Sequence, residues 1–254
     1  MTFTPRFGPA ADAYSTFRPE YPSALYDRIL AFLPPERRDC AMDLGAGTGK
    51  ATRALVNFFA RVIAVEPDQL MAKKLRDTEP RAEVRLSTAE ECQQVPDSAD
   101  LVNIATALHW MDTERVMANV AHWLRRGGIL AVYGADFPRT PDPIHAIIRQ
   151  EFREHWDQFR DERLRRKEFP QSIVRGTSSL TLVEDTTIPF VLPMAPHEFA
   201  GFCRSTSYGS AYGRALGNAE PQYWLDLESR FREAWREDKI PVNASFYLLL
   251  SRKE

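Results

Sequence analysis

Apolar and polar residues follow two different periods along this chain. Five short apolar runs predict buried β-strands at residues 40–44, 61–66, 83–87, 100–106 and 128–135. The stretches between them carry apolar residues at helical spacing, which predicts amphipathic helices. Strands that alternate with helices in this way predict an α/β fold, in which a doubly wound, mostly parallel sheet is covered by helices on both faces.

Two of the expected helices carry detailed signals. The helix expected over residues 49–59 follows a glycine-rich turn. Its inward-facing residues are expected to be Ala51, Leu55, Phe58 and Phe59. Asp112 is expected to cap the helix before the fifth strand, and residues 125–127 (Arg-Arg-Gly) are expected to mark the end of that helix.

The alternation changes after Pro138. Residues 143–168 have helical spacing and predict a long helical stretch, with Trp156 and Phe159 in its core. Two further strands are expected at 180–193 and 242–251, with helices between them. The sequence thus predicts seven strands in all. The segment after Pro138 is predicted to form a cap, inserted between the fifth and sixth strands.

The amino-acid composition excludes several classes of protein. The 254 residues include 33 Lys and Arg against 35 Asp and Glu, for a net charge of −2, and no basic cluster suggests nucleic-acid binding. Cys40, Cys92 and Cys203 are far apart, and the histidines are scattered, so neither a disulfide framework nor a metal site is expected. There is no run of 18 apolar residues. We therefore expect a cytoplasmic protein with no membrane and no nucleic-acid partner, as a monomer or a homodimer.

The most informative segment is Asp-Leu-Gly-Ala-Gly-Thr-Gly at residues 43–49, between an expected strand and an expected helix. Doubly wound folds bind nucleotides at such a turn, where glycines let the backbone approach the ligand. A phosphate-binding P-loop is excluded because Gly45 and Gly49 are separated by only three residues and Ala51 follows Lys50. The dinucleotide fingerprint would require glycine at Lys50. The observed pattern is instead G-x-G-x-G, preceded by Asp43.

In this pattern the chain resembles the class I S-adenosylmethionine-dependent methyltransferases, over roughly residues 8–136. The resemblance implies their seven-stranded Rossmann-like methyltransferase fold, with S-adenosylmethionine as cofactor and S-adenosylhomocysteine as product. It places the cofactor on Asp43 and on the loop residues Gly45, Ala46, Gly47 and Gly49.

The resemblance also implies contacts at three other strand ends. Glu66, 23 residues after Asp43, matches the acid that binds the ribose hydroxyls, and a carboxylate can accept both hydrogen bonds of a vicinal diol. The remaining candidates for cofactor binding are Pro67 beside Glu66, Ala89 and Glu90 near the adenine, and Ala105 and Thr106 at the end of the fourth strand. The plainer interpretation of Glu90 is a solvated loop acid.

Two segments give a finer resemblance. Residues 14–22 (Tyr-Ser-Thr-Phe-Arg-Pro-Glu-Tyr-Pro) and residues 108–112 (Leu-His-Trp-Met-Asp) are similar to segments of the small-molecule methyltransferases in the trans-aconitate methyltransferase-like group. In that group the N-terminal segment folds over the cofactor. Tyr14 and Arg18 are then expected to cover the cofactor or meet its carboxylate, and Tyr21 is a candidate for substrate binding.

Other substrate-side candidates have plainer alternatives. His109 is the candidate general base, although it could be a buried core histidine, and Trp110 is expected to form part of the wall. Arg204, Ser207 and Tyr208 follow the sixth strand and are candidates for substrate contacts, Arg204 if the substrate carries a carboxylate. The alternative for this segment is a helix end capped by its own hydroxyls.

The sequence thus predicts an enzyme that transfers a methyl group by in-line displacement to oxygen or nitrogen of a small molecule, with a carboxylate as one option. The alternatives are a nicotinamide-dependent oxidoreductase and a non-catalytic partner protein that binds an S-adenosyl ligand. We expect a single domain over 1–254. Its parts are an N-terminal helical lid (1–35), a cofactor-binding half (36–136), a cap insertion (137–180), and the last two strands with a substrate-side helix (181–254).

Overall fold

The computed structural model describes residues 11–165 and 170–254, so the expected lid begins at residues outside the described part. Seven strands form the sheet: β1 (Cys40–Leu44), β2 (Arg61–Val65), β3 (Glu83–Arg85), β4 (Ala99–Ala105), β5 (Leu124–Ala135), β6 (Leu180–Met194) and β7 (Ile240–Lys253). Ten α-helices are described: α1 (Ala11–Phe17), α2 (Ser23–Leu30), α3 (Lys50–Leu55), α4 (Gln69–Thr78), α5 (Thr113–Trp123), α6 (Asp142–Glu151), α7 (Gln171–Arg175), α8 (Pro196–Ser205), α9 (Ser207–Leu216) and α10 (Glu220–Ala234).

The strand order across the sheet is β3-β2-β1-β4-β5-β7-β6. Strands β1 to β5 are parallel, and β7 runs antiparallel between β5 and β6. The predicted seven-stranded, mostly parallel Rossmann-like sheet is therefore confirmed. Because the chain leaves β1 in one direction and returns to β4 on its other side, a crevice forms where the carboxyl ends of β1 and β4 diverge.

Apolar side chains from both faces of the sheet form two separate cores. One contains residues of α5 and α7, and the other contains residues of α2 and α3. A third core lies away from the sheet and joins Ile144, Ile148 and Trp156 to residues of α8, α9 and α10. The cap is therefore built from the segment after β5 together with the helices between β6 and β7.

Three local expectations are wrong. Helix α3 ends at Leu55, so Phe58 is 38% exposed rather than inward. Residues 125–127 lie in β5, which begins directly after α5 with a register irregularity opposite Ala99. The long helix expected over 143–168 passes from α6 into a π-helical turn and a 3-10 turn, and it breaks at Arg160.

Candidate functional site

A narrow cleft opens at the carboxyl ends of β1 and β4, under α1. The structure places there residues of the glycine loop, the end of β4 and the segment around α1: Tyr14, Tyr21, Asp43, Gly45, Ala46, Gly47, Lys50, Ala51 and Ala105. We call this the cofactor cleft. The cleft is narrow, because Tyr14 and Tyr21 lie over the glycine loop. The segment that carries Tyr14 and Tyr21 therefore closes the cleft.

The three glycines of the loop have positive φ angles of 68° at Gly45, 58° at Gly47 and 89° at Gly49. A Cβ atom on Gly45 would lie 2.6 Å from the Cβ atom of Ala107, and one on Gly49 would overlap the side chain of Leu75. A Cβ atom on Gly47 would meet nothing within 4 Å. Gly45 and Gly49 are thus required by packing, whereas Gly47 faces open space that a ligand can fill.

Asp43 is fully buried beneath this loop. One carboxylate oxygen accepts a hydrogen bond from Thr52 Oγ1 at 2.6 Å, and the other accepts from Asn103 Nδ2 at 2.8 Å. Burial raises the pKa of Asp43, and these two hydrogen bonds oppose the rise. Asp43 therefore ties β1, α3 and β4 together below the cleft, through two partners that sequence reasoning missed.

Glu66, directly after β2, is buried with 7% of its surface exposed. Its Oε2 accepts a hydrogen bond from the Gly47 amide at 2.7 Å, and its Oε1 accepts from the Asp68 amide at 2.8 Å. Burial raises the pKa of Glu66 to about 7. The carboxylate thus lies against the open glycine of the loop, and Pro67, partly buried, separates it from Asp68, which caps α4.

The residues expected near the adenine are tied to the protein. Ala89 is buried in the core, while Glu90 is partly exposed. Glu90 Oε1 accepts a hydrogen bond from the Asp112 amide at 2.7 Å, and Asn119 Nδ2 donates to the carbonyl oxygens of both Ala89 and Glu90. The Glu90 carboxylate therefore joins the loop after β3 to the start of α5, and its contact with the cofactor stays a prediction.

The end of β4 is conformationally unusual. Ala105 lines the cofactor cleft, and Thr106 after it has a φ of 56°, a strained value for a β-branched residue. The Thr106 hydroxyl is hydrogen-bonded to the Tyr21 hydroxyl at 2.7 Å. The Tyr21 ring packs edge-on against Tyr133 at 5.0 Å and Phe246 at 5.6 Å. Tyr21, a predicted substrate contact, thereby fixes the chain after α1 to the sheet.

Arg18 lies at the end of α1. Its guanidinium is 5.6 Å from the ring centre of Tyr14 and 4.9 Å from that of Phe202, so it stacks between the lid and the cap. Its Nε atom is buried without a hydrogen-bond partner, and Arg18 forms no ion pair with any residue that the structure describes. An unpaired cation in this position suits an anionic group of a ligand.

His109 and Trp110 lie in the 3-10 turn Leu108–Trp110 after β4, with ring centres 4.5 Å apart. Burial lowers the pKa of His109 to about 4, the nearby Asp161 opposes the shift, and Arg163 adds to it. The imidazole is therefore neutral at pH 7 and weakly basic. Asp161 and Arg163 belong to the cap, so His109 lies at the junction between the sheet and the cap.

The three candidate substrate contacts after β6 lie in different environments. Tyr208 is buried against Phe152 and Trp156, at ring distances of 5.0 and 6.1 Å. Ser207 is the first residue of α9. Arg204 is exposed and pairs with Glu220 at 2.9 Å, and its contact with a substrate carboxylate stays a prediction.

The hydroxyls in this segment cap helices. Ser205 Oγ donates to the Phe202 carbonyl at 2.7 Å. Thr206 Oγ1 donates to the Cys203 carbonyl at 2.7 Å and accepts from the Gly209 amide at 3.0 Å. These bonds join the end of α8 to the start of α9, as the plainer interpretation expected.

Comparisons with known proteins agree with this geometry. A family model described as a methyltransferase domain matches residues 42–132. A Dictyostelium discoideum protein named as a methyltransferase is 29% identical over 99% of this chain and 96% of its own length. A solved structure from Anaeromyxobacter dehalogenans, described as a type II methyltransferase, is 24% identical with a TM-score of 0.72, covering 93% of this chain and 98% of that chain. Phosphoethanolamine N-methyltransferase 2 of Haemonchus contortus, solved with S-adenosylmethionine, is 14% identical with a TM-score of 0.53, covering 97% of this chain and 57% of that chain.

The parallel sheet, its glycine loop and the buried acid after β2 define a class I methyltransferase domain. The chain carries a methyltransferase domain, which the family model matches over residues 42–132 and the Dictyostelium relative matches over 99% of this chain, so the predicted family is confirmed. The comparisons do not favour the oxidoreductase or the non-catalytic partner protein. Membership of the trans-aconitate-like group stays a prediction.

The described residues offer suitable groups for S-adenosylmethionine: the open space at Gly47, the Glu66 carboxylate and the unpaired Arg18 cation. Within residues 11–165 and 170–254 there is no group of three or more His, Cys, Asp or Glu side chains that could hold a metal ion. No helix in the same ranges is long and apolar enough to cross a membrane.

Proposed function

We propose that the enzyme methylates a carboxylate oxygen of a small organic acid. The observation that carries the proposal is the position of Arg18, an unpaired guanidinium stacked between the lid and the cap. A carboxylate matches the planar fork of a guanidinium. The source of that carboxylate is either the acceptor or the methionine part of the cofactor, and the experiment below separates the two.

The closed cofactor cleft supports a small acceptor. Because α1 and the residues after it cover the cleft, every reactant must be enclosed beneath them. A folded protein or a nucleic-acid duplex does not fit under a short helix. The net charge of −2 also offers no general attraction to nucleic acid.

The chemistry at His109 favours a carboxylate over a hydroxyl or an amine. The cofactor supplies a methyl group on a positively charged sulfur. A carboxylate oxygen would attack that methyl carbon while the carbon–sulfur bond breaks and its electron pair stays on sulfur, so the chain would need no base to remove a proton. A hydroxyl or a protonated nitrogen would need a base, and a histidine with a pKa of about 4 is a weak one at pH 7.

In this proposal the chain contributes mainly position. Glu66 accepts hydrogen bonds from the ribose hydroxyls, and Gly47 leaves space for the cofactor beside it. Arg18 holds a carboxylate, and Trp110 and Tyr208 form walls. Alignment of two bound reactants can lower a barrier by about 7–11 kcal/mol.

The test is a panel of acceptors with the full chain and S-adenosylmethionine, measured as release of S-adenosylhomocysteine. Each carboxylic acid is paired with its primary amide, and phenols and heterocyclic amines complete the panel. We expect turnover with acids and none with their amides. Turnover confined to phenols or amines would overturn the proposal.

Two variants assign the roles. Arg18→Gln should raise KM for the acid at least ten-fold, with less change in S-adenosylhomocysteine affinity; the reverse result would assign Arg18 to the cofactor's carboxylate. His109→Gln should lower kcat less than ten-fold, as in the exposed control His122→Gln. A loss of about 10²–10⁴-fold would instead identify His109 as a general base.

A further inference from the structure

Lys50 is the first residue of α3, directly after the last glycine of the loop, and it lines the cofactor cleft with only 7% of its surface exposed. Its Nζ donates hydrogen bonds to the carbonyl oxygen of Ser15 and to Glu20 Oε1, both at 3.1 Å. Ser15 lies in α1, and Glu20 lies in the turn after it. A buried ammonium beside the glycine loop is therefore bonded to the segment that closes the cleft.

Arg53, one turn further along α3, strengthens the same connection. Its Nη2 donates to Glu20 Oε1 at 2.9 Å, and its Nη1 donates to the Thr48 carbonyl at 3.0 Å. One carboxylate oxygen of Glu20 thus accepts hydrogen bonds from two cationic side chains of α3, those of Lys50 and Arg53. The Glu20 side chain is 60% exposed, so the carboxylate can leave these cations without crossing the core.

We propose that Lys50 and Arg53 are positioning residues that hold α1 closed over the cofactor cleft through Glu20, and that this contact sets the rate at which the cofactor enters and its product leaves. The segment that carries Tyr14 and Tyr21 covers the cleft while α1 lies in this position. Entry or release therefore requires that Lys50 separate from Ser15 and from Glu20. Lys50 lines the cofactor cleft, whereas Glu20 and Arg53 are not among the residues that line it.

The charge of Glu20 decides the balance between the two positions of α1. Burial lowers the pKa of Lys50, and Glu20 is the first charge that opposes this shift. Without that charge, the closed state would contain a buried ammonium with one carbonyl as its partner, which is unfavourable. In the open state the same ammonium regains water, so removal of the charge favours opening.

The test uses Glu20→Gln and Glu20→Lys in the full chain. The matched controls are Glu184→Gln and Glu184→Lys, because Glu184 forms a similar ion pair with Arg28 of α2 at 2.7 Å, away from the cleft. We measure S-adenosylhomocysteine dissociation by rapid displacement with excess S-adenosylmethionine. Amide hydrogen exchange over residues 11–20 is measured in the ligand-free protein.

We expect dissociation to be about three- to ten-fold faster in Glu20→Gln and faster again in Glu20→Lys, with hydrogen exchange rising in the same order. The Glu184 variants should match the wild type. Added salt should speed release from the wild type and have less effect on Glu20→Gln. Equal rates across the Glu20 series, or an equal response in the Glu184 series, would overturn the proposal. Neither readout needs an acceptor, so the result is independent of the proposed substrate.

Discussion

Glu66 combines a buried carboxylate, a strand end and the open glycine of the loop. Its pKa of about 7, against a usual value of 4.5, means that it gains a proton as the pH falls through 7 in the ligand-free protein. A carboxylate accepts two hydrogen bonds from a vicinal diol, whereas a protonated carboxyl must use one oxygen as a donor. Cofactor binding should therefore favour the ionised form.

We accordingly predict that S-adenosylhomocysteine binds about ten-fold more weakly at pH 6 than at pH 8, because the ionised fraction of Glu66 falls by that factor. Isothermal titration calorimetry across this range measures the change. Glu66→Gln should bind weakly at every pH, with this dependence removed. Wild-type affinity that does not vary with pH would contradict the assignment of Glu66.

At the residue scale, the sequence was informative where spacing and strand ends agree, as at Asp43, the loop glycines and Glu66. It did not indicate what holds Asp43, because Thr52 and Asn103 are 9 and 60 residues away. The amide of Asn103 inside the buried strand β4 was an available sign. From the sequence, Lys50 was informative only because it stands where the dinucleotide fingerprint requires glycine. Its contact with α1 could not be predicted, since it depends on how the N-terminal segment packs against α3.

The turn between β1 and α3 contains three glycines with positive φ angles, so substitutions in it are expected to be costly. We predict that Gly49→Ala lowers the free energy of unfolding by about 2–4 kcal/mol, because it adds a positive-φ penalty to a clash with Leu75. Gly47→Ala should lower it by only about 1–2 kcal/mol but weaken S-adenosylhomocysteine binding at least ten-fold, since its methyl group enters the cleft.

Gly217→Ala is a control away from the cleft, since Gly217 also has a positive φ, 56°, and open space around its Cβ position. It should show the backbone penalty alone, with unchanged ligand affinity. Urea unfolding and ligand titration separate the two effects. Normal binding by Gly47→Ala would show that the open space beside Gly47 is not used by the cofactor.

At the element scale, buried strands were predicted best, because an apolar run bounded by polar residues has few other solutions. Helix ends were predicted less well. Helix α3 stops at Leu55 although Phe58 and Phe59 continue the apolar spacing, and only Phe59 is buried. The break at Arg160 likewise depends on packing in the cap rather than on a local Pro or Gly.

At the scale of the whole molecule, the cap depends on a buried acid. Glu151, with 1% of its surface exposed, accepts hydrogen bonds from the Tyr223 hydroxyl and from Arg230, which joins α6 to α10. Glu151→Ala should lower the free energy of unfolding by about 3 kcal/mol, because it leaves an arginine and a hydroxyl without their partner.

The exposed residue Glu154 provides the control for the Glu151 substitution. Glu154 lies in the same turn with a 42% exposed side chain, and Glu154→Ala should change stability by less than about 0.5 kcal/mol. Chemical denaturation compares the two variants. Equal effects would mean that the buried network contributes no more than a surface charge.

The two-part origin of the cap was beyond sequence reasoning. Trp156 was correctly predicted as part of its core, but most of its partners come from α8, α9 and α10, more than 30 residues away. Apolar spacing shows which face of a helix is buried and does not show which other helix covers it. The third core therefore could not be predicted from the sequence.

The attachment of Tyr21 determines how the short helix α1 can swing. Its hydroxyl is bonded to Thr106 and its ring lies against Tyr133 and Phe246, so the chain is anchored at residue 21. On the other side, the Phe17 ring packs on Gly201 of α8, where it leaves no room for a side chain. We therefore expect residues 18–20 to take up any movement of α1, next to the contact of Glu20 with Lys50 and Arg53, and we expect the same movement to separate Phe17 from α8. Because such a movement would uncover the glycine loop and the facing surface of α8 together, we expect both reactants to enter, and both products to leave, by one route.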